Sequence, residues 1–263
     1  MQNAWLTDPM KDVETPAAAA ATEIAAAAKP FPKILPSVGW IALYFILQGV
    51  FTIVLLTAGV ADSPATATTP SALPNPVVIL WGLILAAIVQ LLLMWLYVRK
   101  DARLELLGLT HFGRLSAVQT LAMAMMLVVA AMFFNFIYAT YVIPGIGMQE
   151  DMAKLLSSIP RTPANIAAGV FAIVVAAPLV EELLFRGFLQ NSLARHMPFW
   201  AAIILSSFGF ALVHGQPYAI PGLMSLSLAF GYIYHRTGSL RTNIILHMVN
   251  NAVALVLLAQ NAS

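Results

Sequence analysis

Two glutamates and an arginine, Glu181, Glu182 and Arg186, stand inside an apolar run that begins near Ala164. No other feature constrains the chain as tightly. A charge at the centre of a bilayer costs about 3 kcal/mol or more, so ionisable groups at that depth face a protein interior or a wet cavity. Three of them within six residues need polar partners. Two other apolar segments supply them: one carries Phe210 and His214, the other His247, Asn250 and Asn251. These three segments read as one site, and the remaining chain as its walls.

The composition agrees with a membrane setting. The 263 residues are 60% apolar and 9% charged, against roughly 25% charged in ordinary globular chains. Several runs reach the ~18 residues that mark a transmembrane helix. The fold expected is all-α: a polytopic membrane bundle of about seven spans in one domain, residues 34–263. Residues 1–33, with two alanine blocks, lack bulky apolar surface and are expected to be a disordered cytoplasmic tail. The N-terminus has no cationic segment before a short apolar core, so no signal peptide is expected. The small excess of Lys and Arg gives no argument for a nucleic-acid partner. With no cysteine, disulfides, a thiol nucleophile and thiolate metal ligands are excluded.

The spans fall near Val38–Val60, Val77–Val98, Leu115–Val142, Ala164–Leu193, Phe199–His214, Gly222–His235 and Asn243–Leu258. Asn135, within the third, reads as an interhelical hydrogen bonder. Met148–Ile159 has the spacing of a short interfacial helix. Pro178 removes one backbone hydrogen bond and predicts a kink one turn before Glu181. The fifth segment reaches only about 24 Å, short of the ~30 Å hydrocarbon core. It stops at His214-Gly215-Gln216-Pro217, which predicts a broken helical hairpin with its turn at membrane depth, buried in protein or beside a wet cavity. With the N-terminus in the cytoplasm, 11 of the 13 Lys and Arg residues fall on inside segments and only Lys154 and Arg161 outside. Positively charged loops favour the inside, so that orientation is the expected one.

Within the site, Glu182 and Arg186 are four residues apart on one helical face and can pair. Glu181 lies about 100° round the helix and is free for other work. The simplest division gives Glu182–Arg186 a structural role and Glu181 the role of base. The bland alternative is a neutralised structural network of all three. His214 can help Glu181 hold and deprotonate a water, or merely cap a helix C-terminus. His247 and Asn251, four residues apart, share a face. As donors aimed at one point they would stabilise an oxyanion, with Asn250 able to replace Asn251; otherwise they are interhelical hydrogen bonders. Together these residues suit hydrolysis of an acyl bond. No H-E-x-x-H zinc signature is present, although Glu181, His214 and His247 could in principle hold zinc with an open position. Ser206 and Ser207 read as small packing residues, not nucleophiles.

Glu181-Glu182-x-x-x-Arg186, Phe210-x-x-x-His214 and His247-x-x-x-Asn251 resemble, in order, the three motifs of the CAAX-protease and bacteriocin-processing family of intramembrane proteases. The resemblance covers roughly residues 164–258, and includes Thr237-Gly238-Ser239-Leu240. It implies a glutamate mechanism. Glu181 with His214 would activate water, His247 and Asn251 would form the oxyanion hole, and Glu182 and Arg186 would support the site. It implies no cofactor, with zinc as the minority alternative, and a membrane-associated peptide or lipidated, CAAX-like protein tail as substrate. The setting expected is a bacterial plasma (inner) membrane. A non-catalytic binding or bacteriocin-immunity protein of the same fold is the rival; a transporter is disfavoured because the sequence shows no internal repeat.

Overall fold

The computed structural model describes residues 31–59, 75–99, 103–144 and 157–261, which are helices and connecting loops with no strand among them. All the elements below belong to the unit Pro32–Ser263. They are α1 (Ile34–Thr57), α2 (Pro76–Val98), the single turn α3 (Arg103–Leu106) and α4 (Ala117–Tyr141). Then come α5 (Pro163–Ala194), α6 (Phe199–Leu212), α7 (Ile220–Thr237) and α8 (Leu240–Asn261). Among the described residues, α1, α2, α4, α5 and α8 are long and apolar enough to cross a membrane, and α6 is a shorter apolar helix of 14 residues. The protein is a multi-pass helical membrane protein. The seven expected segments all appear as helices, most with ends within a few residues of those read from the sequence. The expected tail falls outside the described residues up to 30, and the interfacial helix over Met148–Ile159 falls outside them up to 156.

Local sequence explains the helix ends. The Asn75 side chain accepts the Val77 N–H, with Pro76 in the first turn. Ser116 and Gln119 form a reciprocal capping box at the start of α4, which satisfies two otherwise orphaned donors. Thr162 caps α5 ahead of Pro163. α7 stops at Gly238, whose φ of 68° is left-handed, a conformation glycine adopts without steric cost.

Large apolar side chains on α1, α4, α6 and α8 point outward, among them Ile46, Met125, Phe133, Phe208 and Val253. In lipid this apolar exterior is the expected arrangement, and helices associate through small residues and a few polar contacts. Gly82 on α2 is such a contact: a Cβ there would lie 2.7 Å from the Thr52 hydroxyl of α1. Gln90 donates to the Trp40 carbonyl across the same pair. Asn135 on α4 donates to Ser225 on α7. Ala124 of α4 packs on Phe230 and Ile233 of α7. α4 and α8 leave a cleft of about 470 Å³ between them, lined by apolar residues and Asn250.

The loop after α3 crosses the α7–α8 turn and fastens it. The Leu240 N–H donates to the Gly108 carbonyl and the Arg114 N–H to the Thr237 carbonyl. The Ser239 and Thr242 hydroxyls donate to the carbonyls of His111 and Phe112, and the Tyr234 hydroxyl to that of Leu107. Gly108 is left-handed, and a Cβ there would overlap the Gly238 carbonyl oxygen.

Candidate active site

Helix α5 is not uniformly wound. Phe171–Ala176 and Glu182–Gln190 adopt the wider π-helical winding, on either side of an α-helical turn containing Pro178. Such windings occur often at functional sites. The predicted interruption at Pro178 is therefore absorbed as a change of winding in a continuous helix. It has one specific consequence. The Ala177 N–H bonds the Ala172 carbonyl, five residues back. In that register Pro178 would serve the Ile173 carbonyl, but proline has no N–H. The Asn251 amide of α8 fills the vacancy, donating from Nδ2 to the Ile173 carbonyl at 3.0 Å.

Glu182 is the hub of the site. Its side chain is 0% exposed, and its Oε1 lies 3.0 Å from the Arg186 guanidinium. His247 Nδ1 lies 2.8 Å from the same oxygen, and the Asn243 amide donates to Oε2 at 2.7 Å. An ion pair to Arg186 at Oε1 and the Asn243 amide donating to Oε2 make Glu182 a carboxylate, and His247 Nδ1 the second donor to it. Arg186, also fully buried, donates to the Ser227 hydroxyl at 3.0 Å and to the Ser227 carbonyl. Its guanidinium lies over the rings of Phe210 (5.0 Å) and Phe230 (5.7 Å). The ion pair read from the i, i+4 spacing is thus present, and it is deeply buried.

Glu181 is different. Its side chain is 20% exposed, and its Oε2 stands 3.7 Å from His247 Nε2. That is an ion-pair distance, too long for a hydrogen bond. Of the two glutamates, one is held by an ion pair and two hydrogen bonds, and the other is part-exposed beside a histidine.

The second segment meets the site through Phe210. Its ring packs edge-on against Phe185 at 5.2 Å and contacts the rings of His214 at 4.7 Å and His247 at 6.5 Å. His214 Nδ1 lies 2.7 Å from the Phe210 carbonyl. A carbonyl only accepts, so Nδ1 carries a proton, and in the neutral ring Nε2 is then the acceptor. No hydrogen bond or ion pair joins His214 to Glu181 among the described residues. The loop beyond His214 turns through left-handed Gly215 and a short 3₁₀ turn, Pro217–Ala219, in line with the expected broken hairpin. Ser206 donates to the Phe185 carbonyl, a packing role.

The third segment supplies His247, stacked on Phe230 at 4.9 Å, and the Asn250–Asn251 pair, in which Asn250 Nδ2 donates to Asn251 Oδ1 at 3.4 Å. Sequence reasoning missed Asn243 and Ser227. Asn243 was legible in principle, because Asn243, His247 and Asn251 recur every four residues on one face of α8. Ser227 carries no such signal. A catalytic zinc needs three converging protein ligands. Among the described residues no three His, Asp or Glu side chains form such a group.

A multi-helix membrane bundle that buries a Glu–Arg–His cluster defines a class of protein. Residues 163–253 match the family model described as Rce1-like, type II CAAX prenyl endopeptidase. This segment, about a third of the chain, holds all three motifs, and the match is consistent with the CAAX-protease and bacteriocin-processing family. The chain is also similar to "UPF0177 protein YaiF" of Lactococcus lactis subsp. lactis (strain IL1403), at 34% identity over 86 residues. That match covers 32% of this chain and 38% of the relative. It is similar as well to "Putative membrane peptidase YdiL" of Bacillus subtilis (strain 168), at 25% identity over 118 residues, covering 44% of this chain and 47% of the relative. The chain thus spans less than half the length of either curated relative. No solved structure matches it significantly.

Proposed function

We propose that this protein is an intramembrane endopeptidase that cleaves a membrane-associated or lipidated, CAAX-like peptide with glutamate-activated water. The observation that carries the proposal is the division of labour between the adjacent glutamates. Glu182 is consumed by Arg186, His247 and Asn243, while Glu181 is part-exposed and, among the described residues, accepts no hydrogen bond.

In this reading a water donates one hydrogen to Glu181 and the other to the bare Nε2 of His214. Two acceptors suit a molecule with two donor hydrogens. Glu181 takes the proton as water oxygen bonds to the scissile carbonyl carbon, and later passes it to the leaving amine. The oxyanion that forms receives Nε2–H from His247 and the second amide hydrogen of Asn251, whose first is used on Ile173. Because Nδ1 of His247 is already committed to Glu182, Nε2 donates only in the imidazolium form, and the Glu182 carboxylate supports that charge. Arg186 holds Glu182 in place, Phe210 separates the two histidine rings, and Asn250 orients Asn251. No metal takes part. The site works in a bacterial plasma membrane, with the N-terminus in the cytoplasm.

The test is cleavage of a panel of fluorogenic lipidated peptides by purified protein in detergent, wild type against Glu181→Gln, with and without chelator. Turnover lost in the variant, at unchanged thermal stability and with no chelator effect, is the expected result. Chelator-sensitive turnover would instead favour zinc. A biological effect that survives Glu181→Gln would favour the binding or immunity role.

A further inference from the structure

The residue left unexplained by this scheme is Asn243, one turn N-terminal to His247. It is 0% exposed, and its Oδ1 is buried with no hydrogen-bond partner. An unsatisfied buried acceptor costs about 1–3 kcal/mol. An isosteric leucine at this position would avoid that cost. What asparagine adds is a single interaction, the 2.7 Å donation from Nδ2 to Glu182 Oε2.

That oxygen is the one Arg186 and His247 do not use; both of them meet Oε1. A carboxylate held at one oxygen alone can rotate about its last bond. Held at both, its plane is fixed. The direction of Oε1 toward His247 Nδ1 is then fixed as well, and with it the tilt of the imidazole ring that faces Glu181. Resting on the catalytic reading above, we infer that Asn243 is a positioning residue. Acting through Glu182, it keeps the His247 Nδ1–H directed at Glu182 and the Nε2 edge aimed at the reacting centre. The groups around this link are Glu181, Glu182 and Arg186 from α5 and His247 from α8, with the Tyr44 hydroxyl of α1 facing Glu181 and the Tyr234 hydroxyl of α7 facing Glu182; Phe210 of α6 and Phe230 of α7 add no titratable group.

Three readouts on the full chain test this. In Asn243→Leu the peptide panel should show kcat reduced about ten- to a hundredfold, as for other lost partners of an active-site ligand, with KM nearly unchanged. In Asn243→Asp the new carboxyl can donate to Glu182 only while protonated. Its activity relative to wild type should therefore rise as pH falls, whereas the leucine variant should show no such rise. A merely structural role would give neither pattern. Third, 15N-histidine spectra, with the His247 signal assigned through His247→Gln, should show a proton on Nδ1 in wild type and a shifted Nδ1 signal in Asn243→Leu. If the leucine variant fails to fold, the isosteric aspartate variant carries both measurements.

Superimposable His247 signals in wild type and variant, or a wild-type kcat in Asn243→Leu, would overturn the inference. The spectra need no turnover. An inactive wild type with a shifted His247 signal in the variant would therefore count against the peptidase reading and for the Asn243 link.

Discussion

The bond between Asn251 and the Ile173 carbonyl predicts a non-additive pair of mutations. Pro178 leaves that carbonyl without a backbone donor, and Asn251 supplies one from a helix 78 residues further along the chain. Asn251→Ala removes the donor and strands the carbonyl. An interhelical hydrogen bond in a membrane protein contributes about 0.6 kcal/mol on average and up to about 1.7. An orphaned buried acceptor sets the higher end, so about 1 kcal/mol is expected here. Pro178→Ala returns a main-chain N–H in the register that serves Ile173. In that background Asn251→Ala should cost almost nothing, giving a coupling of about 1 kcal/mol. The assay is a double-mutant cycle on unfolding in detergent, using wild type, both single variants and the double variant. Costs that add to within about 0.3 kcal/mol would refute the reasoning, because independent sites behave that way. Turnover reads the other amide hydrogen. If it serves the oxyanion, the double variant regains stability yet stays about a hundredfold slow; recovery of both would restrict Asn251 to the carbonyl.

Other consequences follow from the same contacts. Glu182→Ala leaves Arg186 charged and unpaired in a fully buried site, and should lower stability by about 3–5 kcal/mol; Glu182→Leu with Arg186→Leu should recover most of that in unfolding measurements while remaining inactive. Gly108→Ala must carry a side chain at left-handed φ against the Gly238 carbonyl, costing about 1–3 kcal/mol from the backbone alone, read as a lower unfolding midpoint. Phe210→Leu removes the ring shared by Arg186, His214 and His247. It should cost about 1–2 kcal/mol of stability and slow peptide turnover more than it weakens peptide binding.

Much of this was legible in the sequence because membrane burial leaves polar residues few explanations. Seven apolar segments gave seven helices, and the short fifth segment with Gly215 and Pro217 gave the broken hairpin. The Glu182–Arg186 pair followed from four-residue spacing. What could not be read was which partner each donor would choose. The i, i+4 pattern places His247 and Asn251 on one face, yet their rings and amides are directed by α5, through Glu182 and the Ile173 carbonyl. Pro178 signalled a lost hydrogen bond, but the two π-helical stretches that absorb it depend on packing against α6 and α8. Asn243 looked like the polar start of a span, because nothing local says that Glu182 has an unused oxygen.

The fastened α7–α8 turn sets how α8 can behave as a lever. Its first turn is tied to the loop after α3 by main-chain and hydroxyl bonds, whereas its far end flanks the apolar cleft against α4. Rotation about the tied end moves each residue in proportion to its distance from that fulcrum. His247 lies seven residues from Leu240 and Leu258 lies eighteen, about 10 Å and 27 Å along the axis. A 5 Å excursion at Leu258 therefore carries His247 by about 2 Å, and Asn243 by less than about 1 Å. The end of the helix that carries His247 is the quiet end, and the cleft can change width at the other with little disturbance of the histidine.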